Sequence, residues 1–377
     1  FFKQKTAYEI STRDWSSDVC SSDLGVSAAP SAIANRVSYY GNFHGPSMAV
    51  DTMCSSSLTA LHLACEAIAH GHCEAAIAGG VNLSLHPNKY LLLAQGRFAS
   101  SKGRCESVGA GGDGYVPAEG VGAVLLKPLE RALADGDHVW GVIKGTALNH
   151  GGKVNGFTVP NPQAQGEVVA RALREAGVEA RSIGYVEAHG TGTALGDPIE
   201  MAGLVRAFGA DTADRGFCAL GSIKSNIGHA EAAAGIAGLT KVLLQMAHGE
   251  LVPSLHSSPP NAEIDFAATP FVVQQTLAPW PRPVLEREGQ RLELPRRAGL
   301  SSFGAGGSNA HVIVEEAPAA APARAFAGPQ AVLLSARRVE ALVERAQQLL
   351  DAIARQGWGD EVLPRLAWTL QVGREPM

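Results

Sequence analysis

IGYVEAHGTGTALGDPIEMAGLVRAF, residues 183–208, carries the reading that decides the fold. Ile183–Glu187 is a short apolar run with the character of a strand, His189-Gly-Thr-Gly-Thr193 is a turn, and Pro198–Phe208 has its apolar residues at helical spacing. At the joint, Asp197-Pro-Ile-Glu200 reads as an aspartate N-cap, a proline at N1 and a glutamate at N3, which together make a capping-box arrangement. A strand that feeds a helix through a glycine-rich turn is the building unit of a layered α/β domain. The alternation continues in both directions. Upstream, Ser47–Thr52 reads as a strand running into Cys54, and Leu58, Leu61, Cys65 and Ile68 mark a helix closed by Gly71. Ala75–Val81, Val121–Leu126 and Val139–Gly145 read as strands, and Gln165–Ala176 as a helix ended by Gly177. Downstream, Cys218–Ile223 is a strand, Glu231–His248 a helix, and Gly299–Phe303 with Ala310–Glu315 an antiparallel hairpin around a glycine-rich turn.

The periphery reads differently. Residues 1–24 (FFKQKTAYEISTRDWSSDVCSSDL) carry neither a helical nor a strand period, lack the features of a signal peptide, and resemble translated sequencing-adapter sequence, so they are read as non-native. The core domain is expected over 25–316. The Ala/Pro-rich stretch 317–329 reads as a linker, and an amphipathic helix over Val339–Ala354 belongs to a separate small element spanning 330–377.

Composition narrows the function. With 377 residues and 46% hydrophobic content the chain can bury a large core. A net charge of −5 without a basic run argues against nucleic acid, and the apolar stretches fall short of the roughly 20 residues of a membrane span. Six cysteines without a CxxC pair suit a reducing cytoplasm.

Cys54 sits where a strand gives way to a helix, a position that lowers a thiol pKa, although buried packing cysteines also occur at such joints. Two histidines, His189 in EAHGTGT and His229 in KSNIGH, each follow a strand, and strand ends are where α/β folds assemble their sites. Neither has a second ligand at zinc spacing, so no metal is expected. Gly109–Gly114 matches GxGxxG outside a strand–turn–helix context. Gly190–Gly196 does lie in that context, which leaves a nicotinamide-dependent dehydrogenase as a competing reading.

Four strings, DTMCSSSLTALHLA, VEAHGTGTALGDPIE, GSIKSNIGHAEAAAGIAGL and SSFGAGGSNAHVIVEE, resemble in sequence and order the β-ketoacyl synthase (ketosynthase) domain of modular type I polyketide synthases. LNHGGKVNGFTVPNP, residues 148–162, looks most like the subgroup served by a free-standing acyltransferase. The resemblance implies a thiolase-like αβαβα fold of two similar halves, the first incomplete here, and a homodimer in the full-length enzyme. It implies decarboxylative Claisen condensation of a malonyl unit on an acyl carrier protein with an acyl chain held on Cys54. The substrates ride on the carrier's phosphopantetheine, no cofactor is bound directly, and an assembly-line bacterium is the expected source. By motif, His189 and His229 stand over the malonyl unit and Lys224 orders the site. Cys54 and Phe303 supply oxyanion-hole amides, with Phe303 and Gly304 forming the gate. Thr191, Thr193 and Asn226 hold the pantetheine arm, and Met53, where the family usually has alanine, shapes the acyl pocket. Ser308 replaces a more usual threonine and keeps its hydroxyl. A catalytically inactive truncated fragment, or an interaction module, is the alternative.

Overall fold

The computed structural model describes residues 29–287, 289–319 and 328–373; the segment read as non-native and much of the Ala/Pro-rich stretch lie outside them. The chain divides into two compact units after Pro318.

The first unit opens with α1 (Ser31–Gly41), α2 (Ser56–Ala69), β1 (Ala76–Asn82), α3 (Asn88–Gln95), β2 (Gly120–Leu126), α4 (Leu129–Asp135), β3 (Gly141–His150) and α5 (Pro162–Ala176). It continues with β4 (Tyr185–Glu187), α6 (Gly196–Gly209), β5 (Cys218–Gly221), the single turn α7 (Lys224–Ile227) and α8 (Ala234–His248). Then come the short strands β6 (Glu250–Leu251), β7 (Phe271–Val273), β8 (Ala278–Pro279), β9 (Val284–Arg287) and β10 (Gln290–Glu293), and the long hairpin β11 (Arg297–Phe303) and β12 (Ser308–Glu316). The second unit holds α9 (Val339–Gln356) and α10 (Leu363–Val372).

A six-stranded sheet in the order β3-β12-β11-β4-β5-β7 is the centre of the first unit. Its strands β11, β4, β5 and β7 run parallel, so their carboxyl ends, and the turns that leave them, gather at one edge. Helices α5 and α6 cover one face around Val168, Val169, Leu204 and Phe208. Helices α2 and α8 cover the other around Leu58, Leu61, Ile236, Leu239 and Val242, and on their far side lies the antiparallel pair β1–β2. Layers therefore alternate helix, sheet, helix, sheet. The outer face of β1–β2 shows Ile77, Val121 and Leu125 to solvent, Val121 at 76% exposure.

Three expected elements differ, each for a local reason. Ser47–Thr52 is irregular backbone: the Thr52 amide donates to Ser56 Oγ at 3.0 Å and is spent within the turn, not on a strand partner. The helix expected from Glu231 starts at Ala234, because Glu231 adopts φ +45° and a 3₁₀ turn precedes it. Helix α6 begins at Gly196, and its N-cap Leu195 makes no side-chain cap bond. Asp197 and Glu200 do not cap their own helix. Their carboxylates turn back onto the preceding loop.

Candidate active site

The Cys54 turn is pinned by its own serines and threonine. Ser55 Oγ donates to Thr52 O at 2.8 Å, Ser56 Oγ to Met53 O at 2.6 Å, and the Met53 amide to Asp51 Oδ1 at 3.0 Å. Met53 is thereby held at φ +57°, a strained conformation for a non-glycine residue, as expected where a backbone must turn sharply to present its neighbour. Ser302 Oγ, from β11, donates to Cys54 O at 2.6 Å and ties the turn to the central sheet.

His229 approaches from the turn after α7, with Nε2 3.2 Å from Cys54 Sγ. The backbone sets its tautomer: the Glu231 amide donates to His229 Nδ1 at 3.0 Å, so the ring proton sits on Nε2 and points at sulfur. The same device holds His189, whose Nδ1 accepts the Phe303 amide at 3.3 Å. The two imidazole rings lie 5.5 Å apart, nearly perpendicular, and Tyr115 packs edge-on against His229 at 4.7 Å. Cys54, His189 and His229 can each bring a ligand atom within 4.8 Å of the others. A nitrogen that carries a proton is a donor, however, and not a metal ligand, so these tautomers suit a developing negative charge better than a metal.

Burial drives both histidines well below the usual imidazole range, and the Lys224 charge adds to this, so both are neutral. Burial also pushes the Cys54 thiol up, against the opposing pull of the Ala305 amide and Lys224. The lowered thiol pKa expected from the strand–helix joint is thus overturned: α2 begins only at Ser56, and desolvation outweighs the helix end. Lys224 is itself buried, which lowers its pKa, while Glu187 and Glu200 support its charge.

Glu200 Oε1 accepts the His189 amide at 2.7 Å and Oε2 the Gly190 amide at 2.8 Å. Asp197 Oδ1 accepts the Gly192 amide at 3.1 Å, and Oδ2 the Val108 amide at 2.7 Å. The amides of the glycine turn that a dinucleotide's pyrophosphate would need are therefore already taken by carboxylates, which removes the physical basis of the dehydrogenase reading.

A cavity of about 440 Å³ opens onto Cys54. Met53, Leu93, Phe98 and Val159 give it apolar wall; Thr191, Thr193, Asn161 and Gln165 give it polar wall. Of the expected site residues, the structure brings Met53, Cys54, His189, His229, Thr191, Thr193, Phe303 and Gly304 to this cavity, with Lys224 buried behind it. Asn226 is not among the lining residues; it is exposed and its Oδ1 accepts the Ser225 hydroxyl at 3.0 Å. The Phe303 amide, expected at the oxyanion hole, is committed to His189. The Ala305 amide, two residues on in the glycine turn, is the backbone donor that lowers the Cys54 thiol pKa against burial, and Ala305 lines the cavity. Ala305, Glu200, Glu231 and Tyr115 were not read as site residues from sequence.

Comparison with known proteins agrees with this geometry. The family model described as beta-ketoacyl synthase, N-terminal domain, matches residues 3–132, and that for the C-terminal domain matches 140–258. The chain belongs to the β-ketoacyl synthase family. A ketoacyl-synthetase C-terminal extension follows over 260–357. Polyketide synthase PksL of Bacillus subtilis is 61% identical over 94% of this chain, and polyketide synthase ThaG of Burkholderia thailandensis 60% over 93%. The match spans 8% and 6% of those proteins. An oxazolomycin ketosynthase domain, OzmH KS7, of Streptomyces albus superimposes with a TM-score of 0.84 at 54% identity, covering 93% of this chain and 60% of that one. The module 6 ketosynthase of the bacillaene synthase from Bacillus subtilis gives 0.82 at 40%, covering 95% and 62%. The fold is accordingly the thiolase-like ketosynthase fold, and the chain is similar to the ketosynthases of polyketide synthases.

Proposed function

We propose that this ketosynthase extends a polyketide chain by decarboxylative Claisen condensation. The observation that carries this reading is the pair of neutral Nε2–H imidazoles, each locked by a backbone amide, beside a cysteine at the floor of a cavity. In the first half-reaction Cys54 Sγ attacks the thioester carbonyl of an acyl chain on phosphopantetheine. The C–S bond to the carrier breaks, and the thiol proton passes to the departing pantetheine sulfur. The amides of Cys54 and Ala305 meet the carbonyl oxygen as it becomes an oxyanion.

In the second, a malonyl thioester on an acyl carrier protein loses carbon dioxide, and the electron pair of the broken C–C bond moves onto the thioester oxygen as an enolate. His189 and His229 donate their Nε2–H groups to that oxygen. The enolate carbon then attacks the Cys54 thioester: a C–C bond forms, the C–S bond to Cys54 breaks, and the Cys54 thiolate takes from solvent water the one proton that decarboxylation of a carboxylate consumes overall. Burial, with the Lys224 charge adding to it, holds both histidines neutral, while Thr191 and Thr193, whose hydroxyls lie 3.2 Å apart on the polar wall, receive the pantetheine arm. No resident cofactor enters these steps. The segment 148–162, on whose far end Thr158, Val159 and Pro160 line the cavity, supports supply of malonyl units by a free-standing acyltransferase, and the full-length enzyme is proposed to be a homodimer. No helix among the described residues is long and apolar enough to cross a membrane.

Intact-mass spectrometry after incubation with a simple acyl thioester tests the reading. One acyl adduct, absent from Cys54→Ala, is expected. A soluble protein that takes no adduct would favour the inactive-fragment alternative.

A further inference from the structure

Glu231 is a non-glycine residue at φ +45°, next but one to His229. The unusual backbone is what aims its amide at His229 Nδ1. Two side-chain arms hold that residue and its neighbour in place. Lys89 Nζ, reaching from α3, is 2.7 Å from Glu231 Oε2 and also donates to Asn82 Oδ1 at 3.0 Å. Asn82 Nδ2 donates to Ala118 O at 2.7 Å, and the Ala118 amide donates to His229 O at 2.8 Å. The second arm is Tyr115, whose hydroxyl lies 3.4 Å from Glu231 Oε1 while its ring packs edge-on against His229. Both routes from Lys89 end on His229, one at the ring and one at the backbone.

We infer that Lys89 and Glu231 are positioning residues that clamp position 231 in its left-handed conformation, so that its amide locks His229 as the Nε2–H tautomer. The inference rests on reading His229 as an N–H donor. An ordinary side chain at 231 relaxes out of this conformation unless something holds it, whereas glycine adopts it without strain. The clamp therefore predicts an ordering that simple loss of a surface ion pair does not. Glu231→Ala, strained and unclamped, releases the tautomer; Glu231→Gly, unclamped but unstrained, keeps it; Lys89→Met behaves like Glu231→Ala.

The test is nitrogen NMR of the full chain carrying ¹⁵N-histidine, which reads which ring nitrogen bears the proton, with His229 assigned from its loss in His229→Asn. The parent and Glu231→Gly are expected to hold Nε2–H, and Glu231→Ala and Lys89→Met to show a tautomer mixture. In parallel, decarboxylation of a malonyl thioester should fall about tenfold in Glu231→Ala, while self-acylation of Cys54 changes less than about threefold. Equal spectra for Glu231→Ala and Glu231→Gly, or a Lys89→Met spectrum identical to the parent, overturn the clamp. A parent that holds Nε2–H, loses it in Glu231→Ala, and yet never decarboxylates malonyl would retract the proposed reaction and leave the clamp standing.

Discussion

Gly235→Ala tests the packing that sets the cysteine–histidine distance. Gly235 lies in the first turn of α8, facing the first turn of α2. A Cβ there would stand 2.5 Å from Leu58 Cγ and 2.8 Å from Ser57 Oγ. Leu58 is 1% exposed, so its side chain has no free space to enter. To reach ordinary contact at 3.4 Å, the two helices must part by about 0.9 Å. Helix α2 carries Cys54 at its start, while His229 leads into α8. A separation of that size takes Cys54 Sγ and His229 Nε2 from 3.2 Å to about 4 Å, at the limit of any hydrogen bond to sulfur. Overpacking of this kind costs about 1–3 kcal/mol, and a misplacement near 1 Å in a reacting pair costs on the order of 10²-fold in rate. Calorimetry and the rate of malonyl-thioester decarboxylation, the step in which His229 is proposed to act, measure the two effects separately. Gly209→Ala is the control, since its Cβ meets nothing within 4 Å and alanine favours the end of α6. Parent-like decarboxylation and melting in Gly235→Ala would refute the claim that α2–α8 contact fixes the site.

Three further outcomes are expected. Alkylation of Cys54 by iodoacetamide should keep rising above pH 9 with no plateau between pH 6 and 8, because burial raises the thiol above its ordinary 9.0 and His229 stays neutral; an inflection near neutrality would contradict the neutral pair. Burial holds Glu200 at about 7 and Asp197 at about 6, above their ordinary 4.5 and 3.8, so the stability they contribute is full below those ordinary values and is lost as pH rises through about 7. Melting temperature should accordingly fall across pH 4.5–7, and Glu200→Gln, which also sets an NH₂ against a loop amide, should melt lower and lose much of that slope; a parallel slope counts against it. Met53→Ala should change which acyl thioesters load Cys54 more than how fast they load, since Met53 lines the cavity at 54% exposure; identical acyl profiles would rule that out.

Much of the candidate site was legible because it is local. Cys54 sits in a short motif just before α2, and His189 and His229 in short motifs that follow β4 and β5, parallel strands whose ends gather at one edge whatever the rest of the chain does. What was illegible depends on tertiary direction. Whether Phe303 or Ala305 turns its amide to sulfur is decided by a turn in which Gly306 and Gly307 take φ of +110° and +98°, and residue identity says nothing of that path. Asp197 and Glu200 fit a capping box at the level of pattern; the fold uses them on the loop before the helix, a choice made by where His189 and Gly190 lie in space. Thiol acidity was misjudged for the same reason, because a helix end is visible in sequence and desolvation is not. The short strands β6, β8, β9 and β10 pair only with each other and carry too few residues to show a period.

The neutrality of the site has a chemical consequence. With the thiol raised and both imidazoles lowered, the proton rests on sulfur and each histidine keeps its single proton at Nε2. A thiolate–imidazolium pair would give a stronger nucleophile for acylation, but an imidazolium would have to lose its extra proton, and Lys224 with burial makes that form costly. The arrangement instead divides the work between separate donors. In the proposed reaction the backbone amides at Cys54 and Ala305 serve the oxygen that becomes charged when Cys54 is acylated, and the imidazole N–H groups serve the oxygen that becomes charged when malonyl loses carbon dioxide. Two successive oxyanions on different substrates are then met by donors that keep their own protons throughout, so the donors need no reorganisation as charge develops.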